Sequence, residues 1–197
     1  MNTNALLPAI ATHVTELYNS CKRTYLYYHN LEHTRRVVKH ADVIAAHYSL
    51  DEHSHFILMT AAWFHDTGQL SGDMAVHEET GVQFMKDFFY DKEVDEQTIT
   101  TISECILATK MPVAPANLLE EIICDADTWH LGTSDFYRLD ALVWIELELR
   151  LNIPIENQPE KSLQFLELHR FYTTCCIQLL SEGKKRNIEL LKALLKS

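Results

Sequence analysis

Glycine and proline are scarce in this sequence, with only five of each among 197 residues. Sharp chain reversals rely on those two residues, so their scarcity excludes a fold of many short strands joined by tight hairpins. No alternating apolar and polar run marks a strand, and there is no internal repeat or low-complexity segment. No stretch reaches the roughly 18 consecutive apolar residues that a membrane-spanning helix needs. The opening residues, MNTNALLPAI, lack a basic segment and carry too short an apolar run for a secretory signal. The five cysteines (Cys21, Cys105, Cys124, Cys175, Cys176) are odd in number and show no C-x-x-C spacing. That argues against a disulfide framework or a thiolate zinc site and for a reducing compartment, so the expected location is the cytoplasm. Basic residues are also short, 17 against 28 acidic ones, for a formal net charge of -11. A surface that acidic repels a phosphate backbone and excludes long nucleic acid as a partner. It leaves small phosphorylated ligands open, because a metal in a cleft can reverse the local field.

What remains is apolar periodicity at helical spacing. The pattern predicts helices over about 3–19, 31–48, 51–66, 75–90, 95–109, 118–131, 134–152, 160–181 and 185–196. In the second, Val37, Val38, Ala41, Ile44, Ala45 and Tyr48 share one face. The third opens with Asp51 and Glu52, which suit a positive helix start, and then becomes almost continuously apolar from Phe56 to Phe64. Pro112 and Pro115 place a loop at 110–117, and Thr133 or Ser134 is the expected cap after Gly132. No composition shift marks a boundary, so one all-α domain over 1–197 is expected, enough chain for a sizeable core.

Polar groups at the ends of apolar helices carry the chemistry. His65-Asp66 closes the nearly continuous apolar helix, where a buried carboxylate is tolerated when it is paired or binds a metal. The structural alternative is a helix cap at the Thr67-Gly68 turn. His29 and His33 stand four apart at the entry to the second helix, on one face if that helix begins early enough. Asp125-Ala126-Asp127 ends another apolar stretch. Two imidazoles and two carboxylates from three helices make a set suited to a divalent ion, with positions left for water and a phosphate oxygen. Other histidines have plainer readings: His13, His53 and His55 as solvated, His40 and His47 as the edge of an apolar face, His130 and His169 as core packing.

The order His33, His65-Asp66, Asp127 resembles the signature of the HD-domain metal-dependent phosphohydrolase superfamily. The stretches YHNLEHTRRVV, AAWFHDTGQL, HEETG, ILATK, ICDADTWHLG and FLELHRFYT are similar to a bacterial subgroup of predicted HD phosphohydrolases, over about residues 25–175. The resemblance implies a single-domain HD-type helical bundle, its motif-bearing core at about 25–131 and its C-terminal helices at about 134–196. It implies metal ligation by His33, His65, Asp66 and Asp127, with Asp125 as the alternative to Asp127 or as a supporting partner. One divalent ion (Mn, Fe, Ni, Co, Zn or Mg) is expected. His29 takes the position of the histidine that protonates the leaving oxygen in related cyclic-nucleotide phosphodiesterases. His77 resembles a position that helps bind a second metal or the substrate phosphate in some branches. Lys110 stands where two-metal branches usually carry another histidine, so a second ion is left open. Lys110 instead offers a cation to a phosphate, or simply ends a helix where the dipole favours it.

The reaction implied is hydrolysis of a phosphomonoester or phosphodiester by metal-activated water, with Asp66, His29, His77 and Lys110 as catalytic candidates. The substrate class is a small phosphorylated metabolite, a nucleotide by preference, and association into a homodimer is left open. Two rivals share the scaffold: a sensor or interaction module that binds metal or nucleotide without turnover, and a di-iron oxygenase in which His77 and Glu78 would add ligands.

Overall fold

The computed structural model describes residues 3–196, and every regular element among them is a helix. They divide into two compact units, the chain up to Arg23 with His29–Asp127, and Thr24–Tyr28 with the chain from Thr128 onward. None of the described helices is long and apolar enough to cross a membrane.

The first unit holds six helices: α1 (Leu7–Ser20), α2 (Leu31–His47), α3 (Glu52–Phe64), α4 (His77–Phe89), α5 (Glu96–Leu107) and α6 (Leu118–Asp127). Its centre is α3, which packs against each of the other five. That position explains the apolar run: Phe56 to Ala62 and Phe64 are all buried, so this helix has no solvated face to mark. Asp51 starts α3 by accepting the amide N–H groups of His53 and Ser54 at 3.0 and 2.9 Å. Asn117 caps α6 by accepting the N–H groups of Leu119 and Glu120. Glu120 reaches back to the N–H of Ala116 and the amide of Asn117, both at 2.7 Å. His13 departs from the solvated reading, since its ring lies 5.0 Å from that of Phe88 and burial lowers its pKa.

The second unit contains α7 (Phe136–Leu151), α8 (Gln158–Leu168) and α9 (Thr174–Leu194), with a 3-10 turn at Trp129–Gly132. Glu146 and Arg150 form a buried ion pair one turn apart on α7 at 2.9 Å, and Glu146 also accepts the N–H of Tyr28 at 2.9 Å. On the side of α7 facing α8, the Trp144 indole N–H donates to Ser162, whose hydroxyl donates to Asp140. Thr133 does not cap α7, which begins at Phe136; its hydroxyl accepts the N–H of Asp135 within the preceding turn.

One expected boundary is wrong. The break anticipated near 182–184 falls at residues 169–173, and α9 runs unbroken through Gly183 from its Thr173 cap. Gly183 is not a terminator: a Cβ there would collide with the carbonyl of Gly132. Glycine lets the 3-10 turn lie directly on the helix, and Asn187, one turn on, donates to the carbonyls of Leu131 and Thr133 at 2.9 Å. Gly183→Ala is expected to destabilise the protein by about 1–3 kcal/mol through forced separation of these elements. A urea or thermal denaturation midpoint unchanged from wild type would contradict this packing.

Candidate metal centre

His33 is fixed by the cap of α2. The Asn30 side chain accepts the N–H groups of Glu32 and His33 at 3.0 and 3.1 Å, placing His33 at the third helical position. This cap also puts His29 outside the helix, so helical spacing is not what relates His29 to His33. Their rings nevertheless lie 5.9 Å apart, edge to face.

His65 caps the C-terminus of α3, and Asp66 follows with φ -104° and ψ 2°, in the sparsely used bridge region. The Nδ1–H of His65 donates to the Ala62 carbonyl at 2.9 Å, which turns Nε2 toward the carboxylates, as a lone pair only when the ring is neutral. A 3-10 turn, Thr67–Ser71, leads away from Asp66. Arg23 holds this turn, donating from Nε to the Leu70 carbonyl at 2.7 Å and from Nη2 to that of Ser71. Asp127 is the last residue of α6.

The ligand atoms of His33, His65 and Asp127 lie within 4.8 Å of one another, and Asp66 Oδ2 approaches both imidazoles. His33 Nε2 lies 3.1 Å from Asp66 Oδ2, 3.0 Å from Asp127 Oδ1 and 3.4 Å from His65 Nε2. His65 Nε2 lies 3.3 Å from Asp66 Oδ2 and 3.7 Å from Asp127 Oδ1. Donors bound at about 2.0–2.2 Å to one divalent ion stand about 2.8–3.6 Å apart at octahedral or tetrahedral angles. Four of the five spacings fall in that range, and the His65–Asp127 distance of 3.7 Å lies just above it. The orphaned atom supports the same fit: Asp66 Oδ2 is buried and has no hydrogen-bond partner, although two imidazole nitrogens are close. His33 and His65 are fully enclosed, whereas the Asp127 side chain is 27% exposed, so the centre has an open side. Asp125, fully buried two residues earlier on α6, lies outside the group of His33, His65 and Asp127, as Asp66 does, and unlike Asp66 it has no ion-pair contact with either imidazole among those the structure gives.

The electrostatics of the cluster already favour a cation. Burial opposes charge on His65, but the facing carboxylates of Asp66 and Asp127 raise its pKa well above 6.5. Burial likewise opposes charge on Asp66, yet His65 and His29 bring it well below the usual carboxylate range. Asp127 is lowered too, against its burial, by hydrogen bonds from His33 and His65.

His77 begins α4 and faces the other side of Asp66. Its Nδ1 hydrogen-bonds the Met74 carbonyl at 2.9 Å, and its Nε2 lies 3.7 Å from Asp66 Oδ1. The close docking of α4 depends on Gly68, where a Cβ would overlap the carbonyl of His77. The buried carboxylate of Glu78 adds an oxygen 3.3 Å from His77 Nδ1. Lys110 is directed elsewhere: its ammonium lies 2.5 Å from Glu79 Oε1 and 3.4 Å from the Ala75 carbonyl, tying down the start of α4. The sequence reading missed two supports. Asn30 had a visible signal, a cap residue ahead of a periodic run, whereas the Ala62 carbonyl had none because it is backbone.

Because His65 holds a proton in the metal-free protein, binding an ion at neutral pH must release it, and affinity must rise as pH is raised. Calorimetric Mn2+ titrations in two buffers of different ionisation enthalpy should therefore give different heats. Asp127→Asn is expected to weaken binding by more than the roughly 10–100-fold typical of a supporting residue. Asp125→Asn should keep stoichiometric binding; the opposite ranking would make Asp125 the ligand.

The HD domain family model matches residues 30–131, just over half of the chain. No curated protein matches. The fold is similar to the crystal structure of a predicted HD superfamily hydrolase from an uncultured Thermotogales bacterium, with a TM-score of 0.64. That match has 20% identity and covers 97% of this chain and 92% of the other, a likeness of fold alone. The matched segment spans all three helix ends that bring His33, His65, Asp66 and Asp127 together, and the chain belongs to the HD domain family.

Proposed function

We propose that this protein is a metal-dependent phosphohydrolase acting on a small phosphorylated metabolite, with nucleotides as the first substrate class to test. The observation that carries the reading is the His33, His65 and Asp127 cluster, with a buried Asp66 oxygen that has no hydrogen-bond partner 3.1 and 3.3 Å from its two imidazoles. Family membership supports hydrolase chemistry.

In this reading His33, His65, Asp66 and Asp127 hold the ion. A divalent ion supplies Lewis acidity toward a phosphoryl oxygen and acidifies water at neutral pH. The protein's own residues do the rest. The Ala62 carbonyl keeps the His65 lone pair pointed inward, as an outer partner does for a ligating imidazole. His29, beside His33 but outside the donor set, donates a proton to the leaving oxygen. His77, oriented by Met74, steadies the phosphate on the far side of Asp66. Lys110 acts on that face indirectly, because its charge is engaged by Glu79.

A phosphate-release screen over nucleoside mono- and triphosphates, cyclic nucleotides and sugar phosphates, with Mn2+, Co2+, Ni2+, Zn2+ or Mg2+, tests the proposal. The double variant His65→Ala/Asp66→Ala should lose both metal and turnover, and hydrolysis retained in it would sink the reading. His29→Ala should keep its metal and lose about 10²–10⁴ in rate on a substrate with a poor leaving group. The loss should be much smaller on a p-nitrophenyl ester, whose leaving group needs no proton. Equal losses on both substrates would remove His29 as the acid.

A further inference from the structure

We infer that His40 is a positioning residue for the metal centre: its imidazole, hydrogen-bonded to the backbone of Ala126, holds the last turn of α6 where Asp127 meets His33. The inference rests on the reading of His33 and Asp127 as ligands.

His33 and His40 stand seven residues apart on α2, two helical turns, and so share a face. That face packs along α6. The pair therefore fastens α6 at two points, His33 Nε2 on the Asp127 carboxylate at 3.0 Å and His40 on the residue just before it.

The second point is needed where it falls. The last four carbonyls of a helix lack intrahelical donors, and Ala126 is the next-to-last residue of α6. The α6 sequence places no basic side chain in that turn to satisfy them. His40 supplies a donor from the neighbouring helix. Without it, the final turn of α6 is free to fray, and Asp127 is the residue it carries.

His40 is half-buried on the α2 face that also carries His33. In the sequence His40 looks like the edge of an amphipathic helix; the contact with Ala126 gives it a separate role.

The test compares Mn2+ affinity of the metal-stripped full chain in wild type, His40→Phe and His40→Gln. Phe keeps the ring without a donor, and Gln keeps an amide donor. His40→Phe should bind about 10–100-fold more weakly, and His40→Gln should recover most of the loss. In an Asp127→Ala background, which removes the donor at that position, the His40→Phe penalty should largely vanish because the clamp acts through Asp127. Wild-type affinity in His40→Phe, or an equal penalty in both backgrounds, overturns the inference while leaving the metal reading intact. A wild-type chain that binds no divalent ion overturns both. NMR of 15N-histidine-labelled wild-type protein covers the case of a variant that does not fold. A His40 ring N–H protected from solvent exchange is the expected result, and one exchanging as in a free imidazole overturns the clamp.

Discussion

The carboxylate of Asp66 is enclosed among groups that all present lone pairs when neutral. Its Oδ2 faces the Nε2 atoms of His33 and His65, its Oδ1 faces that of His77, and Asp127 Oδ1 closes on the same imidazoles. Acceptors crowded in a buried space repel one another and have given up water. Such an arrangement is stable only with positive charge inside it, a proton in the metal-free protein or a divalent cation. The raised pKa of His65 and the lowered pKa values of Asp66 and Asp127 express this one constraint.

Much of the first unit can be understood as scaffolding for that crowding. A helix end is the place where a side chain can leave a packed core while its backbone stays anchored, and each contributor sits at one. His33 is in the first turn of α2, His65 and Asp66 follow the last turn of α3, and Asp127 ends α6. Two of these ends are secured by neighbouring side chains, α2 by the Asn30 cap and the turn after Asp66 by Arg23. Gly68 and the Lys110–Glu79 pair do the same for α4, which carries His77. The exposed Lys110–Glu79 pair adds little to stability by itself. Its value is that it fixes where α4 begins.

The second unit meets a different demand. Its buried Glu146–Arg150 pair and the Asn187 side chain bond backbone that regular helices leave unsatisfied, at Tyr28 and at the turn Trp129–Gly132. A buried ion pair is poor evidence of stability, since desolvation offsets much of the attraction. Here Glu146 fixes a backbone position as well as pairing with Arg150.

The helical class, the burial of α3 and the order of the polar motifs were legible in the sequence, because each follows from residue type and local spacing. Continuous apolarity from Phe56 to Phe64 already meant a helix surrounded on all sides. The break near 169–173 was not legible, because the distinction between a terminating glycine and a packing glycine lies in what faces it, and Gly132 faces Gly183. The same holds at the centre. Sequence named Asp125 and Asp127 as candidates and could not separate them by periodicity; the end of α6 turns Asp127 toward His33 and leaves Asp125 in the core. Lys110 meets Glu79, thirty-one residues away in the chain, a contact that no local pattern announces. Local chemistry decided which residues could serve a metal, and only packing between distant segments decided which of them meet.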